Sequence, residues 1–172
     1  MLFLSAGHHP RAPGAAWKGF VEHDEAVLWV AELLKHLPGA VPVPTGELSQ
    51  KIQFINSQVP QRRKQNLALE VHFNAASHVV SGCETLYTPN SGHGRALAVE
   101  VQAVLAQHFP TNRGVKPGWY QADPKKGPLA FLSRTTVPAL IIEPEFIYWP
   151  SRIREQRGPC CAALANLLRR FV

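Results

Sequence analysis

Apolar and polar positions along the chain switch between two periods. Leu2 to Ala6 is a short apolar run stopped by Gly7, which predicts a strand. Over residues 22 to 37 the spacing becomes helical: Ala26, Trp29, Val30, Leu33 and Leu37 recur three and four apart. Glu22, Asp24 and Glu25 fall in the first turn, where negative charge suits the helix dipole, and Pro38-Gly39 stops the helix. Val41 and Val43, set between prolines, predict a short edge strand. Leu48, Ile52, Ile55 and Val59 form a second helical stripe. Leu67 to Phe73 predicts a strand with Leu67, Leu69 and Val71 on one face and Ala68, Glu70 and His72 on the other. Gly82 to Tyr87 predicts another strand, and Ala96 to Phe109 a helix with Leu97, Val101, Val104 and Leu105 inward. Residues 110 to 128, rich in Pro, Gly and Lys, read as a loop. Leu129 to Leu132 and Ala139 to Ile142 read as the last strands, and Cys160 to Phe171 as a closing helix. The alternation predicts an α/β fold: a three-layer α/β/α arrangement around a twisted, mostly parallel sheet of about six strands.

Composition narrows this to one domain. The chain has 172 residues, 45% hydrophobic and 17% charged, enough apolar surface to exclude disorder for its bulk. No linker, repeat or low-complexity tract marks a second domain. No apolar run approaches the ~20 residues that cross a bilayer; the Pro138 to Ile142 run stops at Glu143. The N-terminus has no basic segment and only a short apolar run, so synthesis without an export signal is expected. Cys83, Cys160 and Cys161 are an odd set without zinc-finger spacing and are expected as free thiols. The net charge of +6 favours anionic partners. The short basic runs Arg62-Arg63-Lys64 and Lys125-Lys126 read as solvated loops without any nucleic-acid motif, so no nucleic-acid partner is expected.

The candidate chemistry lies at strand ends. His8 and His9 follow the first strand, His72 ends the strand beginning at Leu67, and Glu143 ends the strand beginning at Ala139. Glu22 opens the first long helix. In open α/β sheets the carboxyl ends of parallel strands converge on the ligand crevice, which would gather these side chains. Two histidines and a carboxylate are a usual catalytic zinc set, and a further carboxylate can serve as general base. On spacing alone, a cluster of hydrogen-bonded polar groups is the competing reading.

In order along the chain stand Ala6-Gly7-His8, Pro13-Gly14-Ala15, Glu22, Val71-His72-Phe73-Asn74-Ala75, Gly82-Cys83-Glu84-Thr85, Arg113-Gly114-Val115-Lys116, Pro138 to Glu143, and Phe146. This series resembles the zinc-dependent N-acetylmuramoyl-L-alanine amidases of the Amidase_3 type, the catalytic domains of many autolysins and phage endolysins. The resemblance runs from Leu2 to about Trp149.

It implies that His8, Glu22 and His72 hold Zn²⁺ and that Glu143 is the general base and then acid. The implied reaction cleaves the amide between N-acetylmuramic acid and L-alanine in peptidoglycan. A single catalytic domain over residues 1–172 is expected, monomeric, without a separate wall-binding domain, and acting on the cell wall in an endolysin-like role. A non-catalytic peptidoglycan-binding module and a zinc peptidase of the stem peptide are the alternatives.

Several positions depart from the family pattern. His9 stands where glycine is frequent and reads as lining the cleft rim or orienting a neighbour. Glu70 replaces a common serine and shares the face of His72, as an acceptor for an imidazole N–H. Glu145 replaces glycine and is either a neighbour that perturbs Glu143 or the catalytic carboxylate itself. For the glutamate ligand, Trp29 and Leu33 stand seven and eleven residues after Glu22, at the family's buried positions. The same offsets from Glu25 land on Glu32 and His36, so Glu22 is favoured and Glu25 remains a supporting candidate. Trp17 and Phe20 are candidates for a wall of the groove, Trp119 and Tyr120 for stacking or packing. His23, His36, His78, His93 and His108 read as surface or capping histidines.

Overall fold

In the computed structural model the chain is described over residues 1–59, 66–120 and 126–172. The Arg62-Arg63-Lys64 run and Lys125 lie outside the described residues. The elements follow in order: β1 (Leu2–Ala6), β2 (Ala16–Trp17), β3 (Phe20–Val21), α1 (Glu22–His36), β4 (Val41–Pro42), α2 (Leu48–Gln58), β5 (Leu67–Val71) and β6 (Cys83–Tyr87). Then come α3 (Gly92–His108), β7 (Asn112–Pro117), α4 (Ala130–Arg134), β8 (Ala139–Glu143), α5 (Pro150–Leu168) and a 3₁₀ turn over Arg169–Phe171.

Six strands form one sheet in the order β4-β1-β5-β8-β6-β7, and β2 and β3 make a separate hairpin. Neighbours pair in parallel except β6, which runs antiparallel to β8. Ala6 pairs with Val71 and Val71 with Ile142, so the carboxyl ends of β1, β5 and β8 finish level.

The alternation of side chains sorts the strands' residues onto two cores. Leu4, Leu69, Val71, Leu140 and Ile142 pack with Trp29 and Leu33 of α1, Leu97 and Val101 of α3, and Leu164 of α5. Phe3, Ala68, Leu86 and Ile141 pack with Ile55 of α2 and Phe131 and Leu132 of α4 in a smaller cluster. Helices thus cover both faces, which is why the central strands are almost wholly apolar. The polar exceptions in β1, β5 and β8, namely Ser5, Glu70 and Glu143, fall on the α2/α4 side at the level end of the sheet.

Three expectations change. The 110–128 stretch contains β7, an edge strand whose only large apolar residue is Val115; a half-solvated edge needs no alternating pattern. Leu129 to Leu132 is not a strand: Ala130–Arg134 is one helical turn that packs Phe131 and Leu132 against the sheet. The closing helix starts ten residues earlier, at Pro150. Proline is at home in a first helical turn, and buried Ile153 and Cys160 hold the helix together through Pro159. The β2–β3 hairpin leads directly into α1. Among the described residues, no helix is long and apolar enough to cross a membrane. All three cysteines are buried free thiols.

Candidate active site

His8, Glu22 and His72 come together at the level ends of β1 and β5. One ligand atom from each lies within 4.8 Å of the others. Glu22 reaches the site because α1 begins directly after the hairpin. Its backbone N–H bonds the carbonyl of Ala15, and Ala15 N–H in turn donates to Glu22 Oε2 at 3.0 Å. Glu22 Oε1 takes Phe73 N–H at 3.2 Å, His8 Nε2 at 3.0 Å and His72 Nδ1 at 2.9 Å. His8 has a left-handed backbone, φ 59, and its ring meets that of His72 edge to face at 4.8 Å.

This cluster sets its own charges. Burial opposes ionisation of Glu22, but the hydrogen bonds from His72 and His8 outweigh it and bring the carboxyl down to about 2. Burial likewise opposes a charged His72. Its bonds to Glu22 and Glu70 win and lift the imidazole to about 10, so it is an imidazolium when no metal replaces the proton.

Glu143 stands at the end of β8 and lines the same cleft, whose volume is about 590 Å³. Burial pushes its carboxyl up to about 7; the carboxylates of Glu84 and Glu22 add to this and His72 opposes it. The cleft behind it is walled by Leu86, Phe131 and Ile141, which explains the poor solvation. Glu84, directly across the ladder from Glu143, is fully engaged. It accepts from Asn74 Nδ2 at 3.0 Å, Arg113 Nε at 2.7 Å and Lys116 Nζ at 2.5 Å. These bonds overcome burial and hold it below the usual carboxylate range.

The open alternatives separate cleanly. Glu145 is fully buried and accepts from Gly82 N–H at 2.6 Å, Phe146 N–H at 2.9 Å, Ser81 Oγ at 2.9 Å and Arg152 Nη1 at 2.8 Å. It is a structural anchor for the loop before β6 and does not line the cleft. Glu25 pairs with Arg157 of α5 at 2.6 Å, an interhelical tie away from the donors. His9 lines the cleft rim, 3.2 Å from Glu47. Glu70 faces His72 Nε2 at 3.2 Å.

Phe20 is not a groove wall: it is buried against Phe73. Trp17 is partly exposed and packs edge to face on Tyr148. Trp119 and Tyr120 are exposed, and Tyr120 borders the cleft. His23 departs from its surface reading. It is buried, and its Nδ1 donates to the Gly7 carbonyl at 2.9 Å, clamping the turn before His8. Its only signal in the sequence is its place beside Glu22. Lys51, not among the candidates read from the sequence, is also buried beneath the site; buried Ile55, four residues on, shares its face of α2.

The Amidase_3 model, described as N-acetylmuramoyl-L-alanine amidase, matches residues 2–155. No curated protein matches the sequence. Among solved structures, the N-acetylmuramoyl-L-alanine amidase AmiC2 of Nostoc punctiforme shares the fold with a TM-score of 0.77 at 20% identity, over 98% of this chain and 94% of that one. An N-acetylmuramoyl-L-alanine amidase from Clostridium difficile 630 gives 0.76 at 19% identity, over 98% and 91%. The catalytic domain of the CD27L endolysin, which targets Clostridia difficile, gives 0.74 at 20%, over 98% and 95%. With nine-tenths of its length matched by the family model, the chain belongs to the Amidase_3 family of N-acetylmuramoyl-L-alanine amidases.

Proposed function

We propose that this protein is a zinc-dependent hydrolase of the amide between N-acetylmuramic acid and L-alanine in peptidoglycan. His8, Glu22 and His72 would hold the metal, and Glu143 would be the general base and then acid. The observation that carries the reading is the pairing in one cleft of a two-histidine, one-carboxylate donor set with a carboxyl raised to about 7. The donor set fits zinc: two ring nitrogens converge on one carboxylate oxygen, a place where a divalent cation can replace protons. Bound there, zinc supplies Lewis-acid polarisation of the scissile carbonyl and acidifies the attacking water.

The chain's own residues do the rest. Glu143, whose basicity burial raises, would take the proton of the attacking water and deliver it to the departing alanine amine. Glu22 stays ionised throughout. The cleft wall of Leu86, Phe131 and Ile141 limits the water that reaches half-buried Glu143. A net charge of +6 supports a wall-lytic, endolysin-like role through attraction to an anionic envelope.

Incubation with purified peptidoglycan, followed by mass spectrometry, tests the reading. Stem peptides with a free L-alanine amino terminus and intact glycan are expected, suppressed by a chelator and restored by zinc. Cleavage within the stem would make it a peptidase. Wall binding without release would make it a binding module.

Two glycines give a finer test. A Cβ on Gly14, whose φ is +79, would lie 2.5 Å from Glu22 Oε2 and 2.6 Å from His8 Nε2; one on Gly7 would lie 2.6 to 2.7 Å from the His72 ring. Either alanine variant must displace a donor. The expected loss of zinc affinity is about 10- to 100-fold, read by competition with a chromophoric chelator. Unchanged affinity in both would place the metal elsewhere.

A further inference from the structure

Lys51 of α2 is only 3% exposed, in a region otherwise filled by Phe3, Ile55 and Ala68. Its ammonium has three donors and finds three acceptors: the carbonyl oxygens of Ala6 and of His8 (2.8 Å) and Glu70 Oε1 (3.3 Å). The two carbonyls lie on either side of Gly7, so Lys51 grips the turn that ends in left-handed His8. A residue other than glycine keeps that backbone only where its surroundings hold it.

Glu70 carries the grip to the second histidine. Oε1 also accepts from Ser5 Oγ at 2.9 Å, while Oε2 faces His72 Nε2 at 3.2 Å. The opposite ring nitrogen, Nδ1, is the one turned toward Glu22. With Nε2–H given to Glu70, the lone pair of a neutral His72 is left on Nδ1, facing the other two donors. An apolar pair would fill the same space between α2 and the sheet at lower desolvation cost. The buried ions are therefore accounted for by what they orient.

We propose that Lys51 and Glu70 are positioning residues that act as one unit, fixing the orientation of both histidines for metal binding. This rests on the zinc reading of the site. It differs from a purely structural role in its consequence: loss of the pair alters the metal's affinity and ligand field in a protein that is still folded.

The test uses the full chain as wild type, Glu70→Gln, Lys51→Met and the double variant. Folding of each is checked by near-ultraviolet circular dichroism of the metal-free form. Zinc dissociation constants come from chelator competition, and the visible spectrum of the Co²⁺-substituted protein reports the ligand field. Glu70→Gln is expected to weaken zinc about 10- to 100-fold and to shift the Co²⁺ bands. The double variant is expected to fall within about threefold of the weaker single variant, because the two residues act through the same imidazoles. It removes both buried charges, and it carries the test where Lys51→Met alone does not fold. Folded Glu70→Gln and double variants that keep zinc affinity within about twofold of wild type and unshifted bands overturn the proposal. A wild type that binds no zinc overturns the underlying reading of the site instead.

Discussion

Glu143→Gln is expected to lower kcat/KM for muramoyl-peptide hydrolysis by about 10³-fold, the scale of losing a general base, while zinc stays bound. The same substitution changes stability with a definite sign. In the metal-free protein the Glu143 carboxyl is raised from 4.5 to about 7. Between those pH values the folded chain holds a proton that the unfolded chain has released. Folding stability therefore falls as pH rises through that window, and above about 7 the folded state carries a poorly solvated carboxylate. Glutamine carries no such charge. Thermal unfolding should show Glu143→Gln more stable than wild type by a few degrees at pH 8. The gap should close below about pH 4.5, where both states of the wild type are protonated. A fully active variant would move the base elsewhere, and a variant less stable at pH 8 would remove the physical basis of its raised pKa.

Glu145→Ala should behave in the opposite way. Its carboxylate is fully buried and receives two backbone N–H groups, a hydroxyl and a guanidinium. Alanine leaves all four donors short of an acceptor. Arg152 is partly exposed and regains water; the Gly82 and Phe146 amides are enclosed. The expected cost is about 3 kcal/mol, a fall in Tm on the order of 10 °C for a chain of this size. Activity per folded molecule, assayed well below the new Tm, should stay within about tenfold of wild type, since no reacting group is touched. An unchanged Tm, or a folded but inactive protein, would contradict the structural assignment. On this proposal two carboxylates two residues apart divide the work: Glu143 serves the chemistry at a cost in stability, and Glu145 holds the loop.

Much of this is legible in the amino-acid sequence alone. The strands that bear His8, His72 and Glu143 are short, strongly apolar and sharply ended, so both their existence and their polar termini show in the pattern. Glu22 is favoured over Glu25 because the buried positions that the family resemblance implies, seven and eleven residues on, fall on Trp29 and Leu33. What stayed hidden has a common cause: it depends on partners far away in sequence. Glu25 needs Arg157, 132 residues distant, and Glu145 needs Ser81 and Gly82. Lys51 looks like a solvated lysine until the carbonyls of Ala6 and His8 are placed above it. Edge strand β7 is recognisable only from its ladder with β6, and α5 passes through Pro159 because its buried stripe outweighs local propensity.

The sheet order also governs when the enzyme becomes active during its own synthesis. β5 is flanked by β1 on one side and β8 on the other, and the hydrogen bond from Ser5 to Glu70 already spans 65 residues. All three donors proposed for the metal lie in the first half of the chain, yet the strand beside His72, and with it the proposed base Glu143, arrives only with residues 139 to 143. Until that strand inserts, β5 has an open edge and no Glu143. On the roles proposed above, a nascent chain that has made both histidines still lacks its base, and the central sheet that delivers it closes by a non-local and correspondingly slow event.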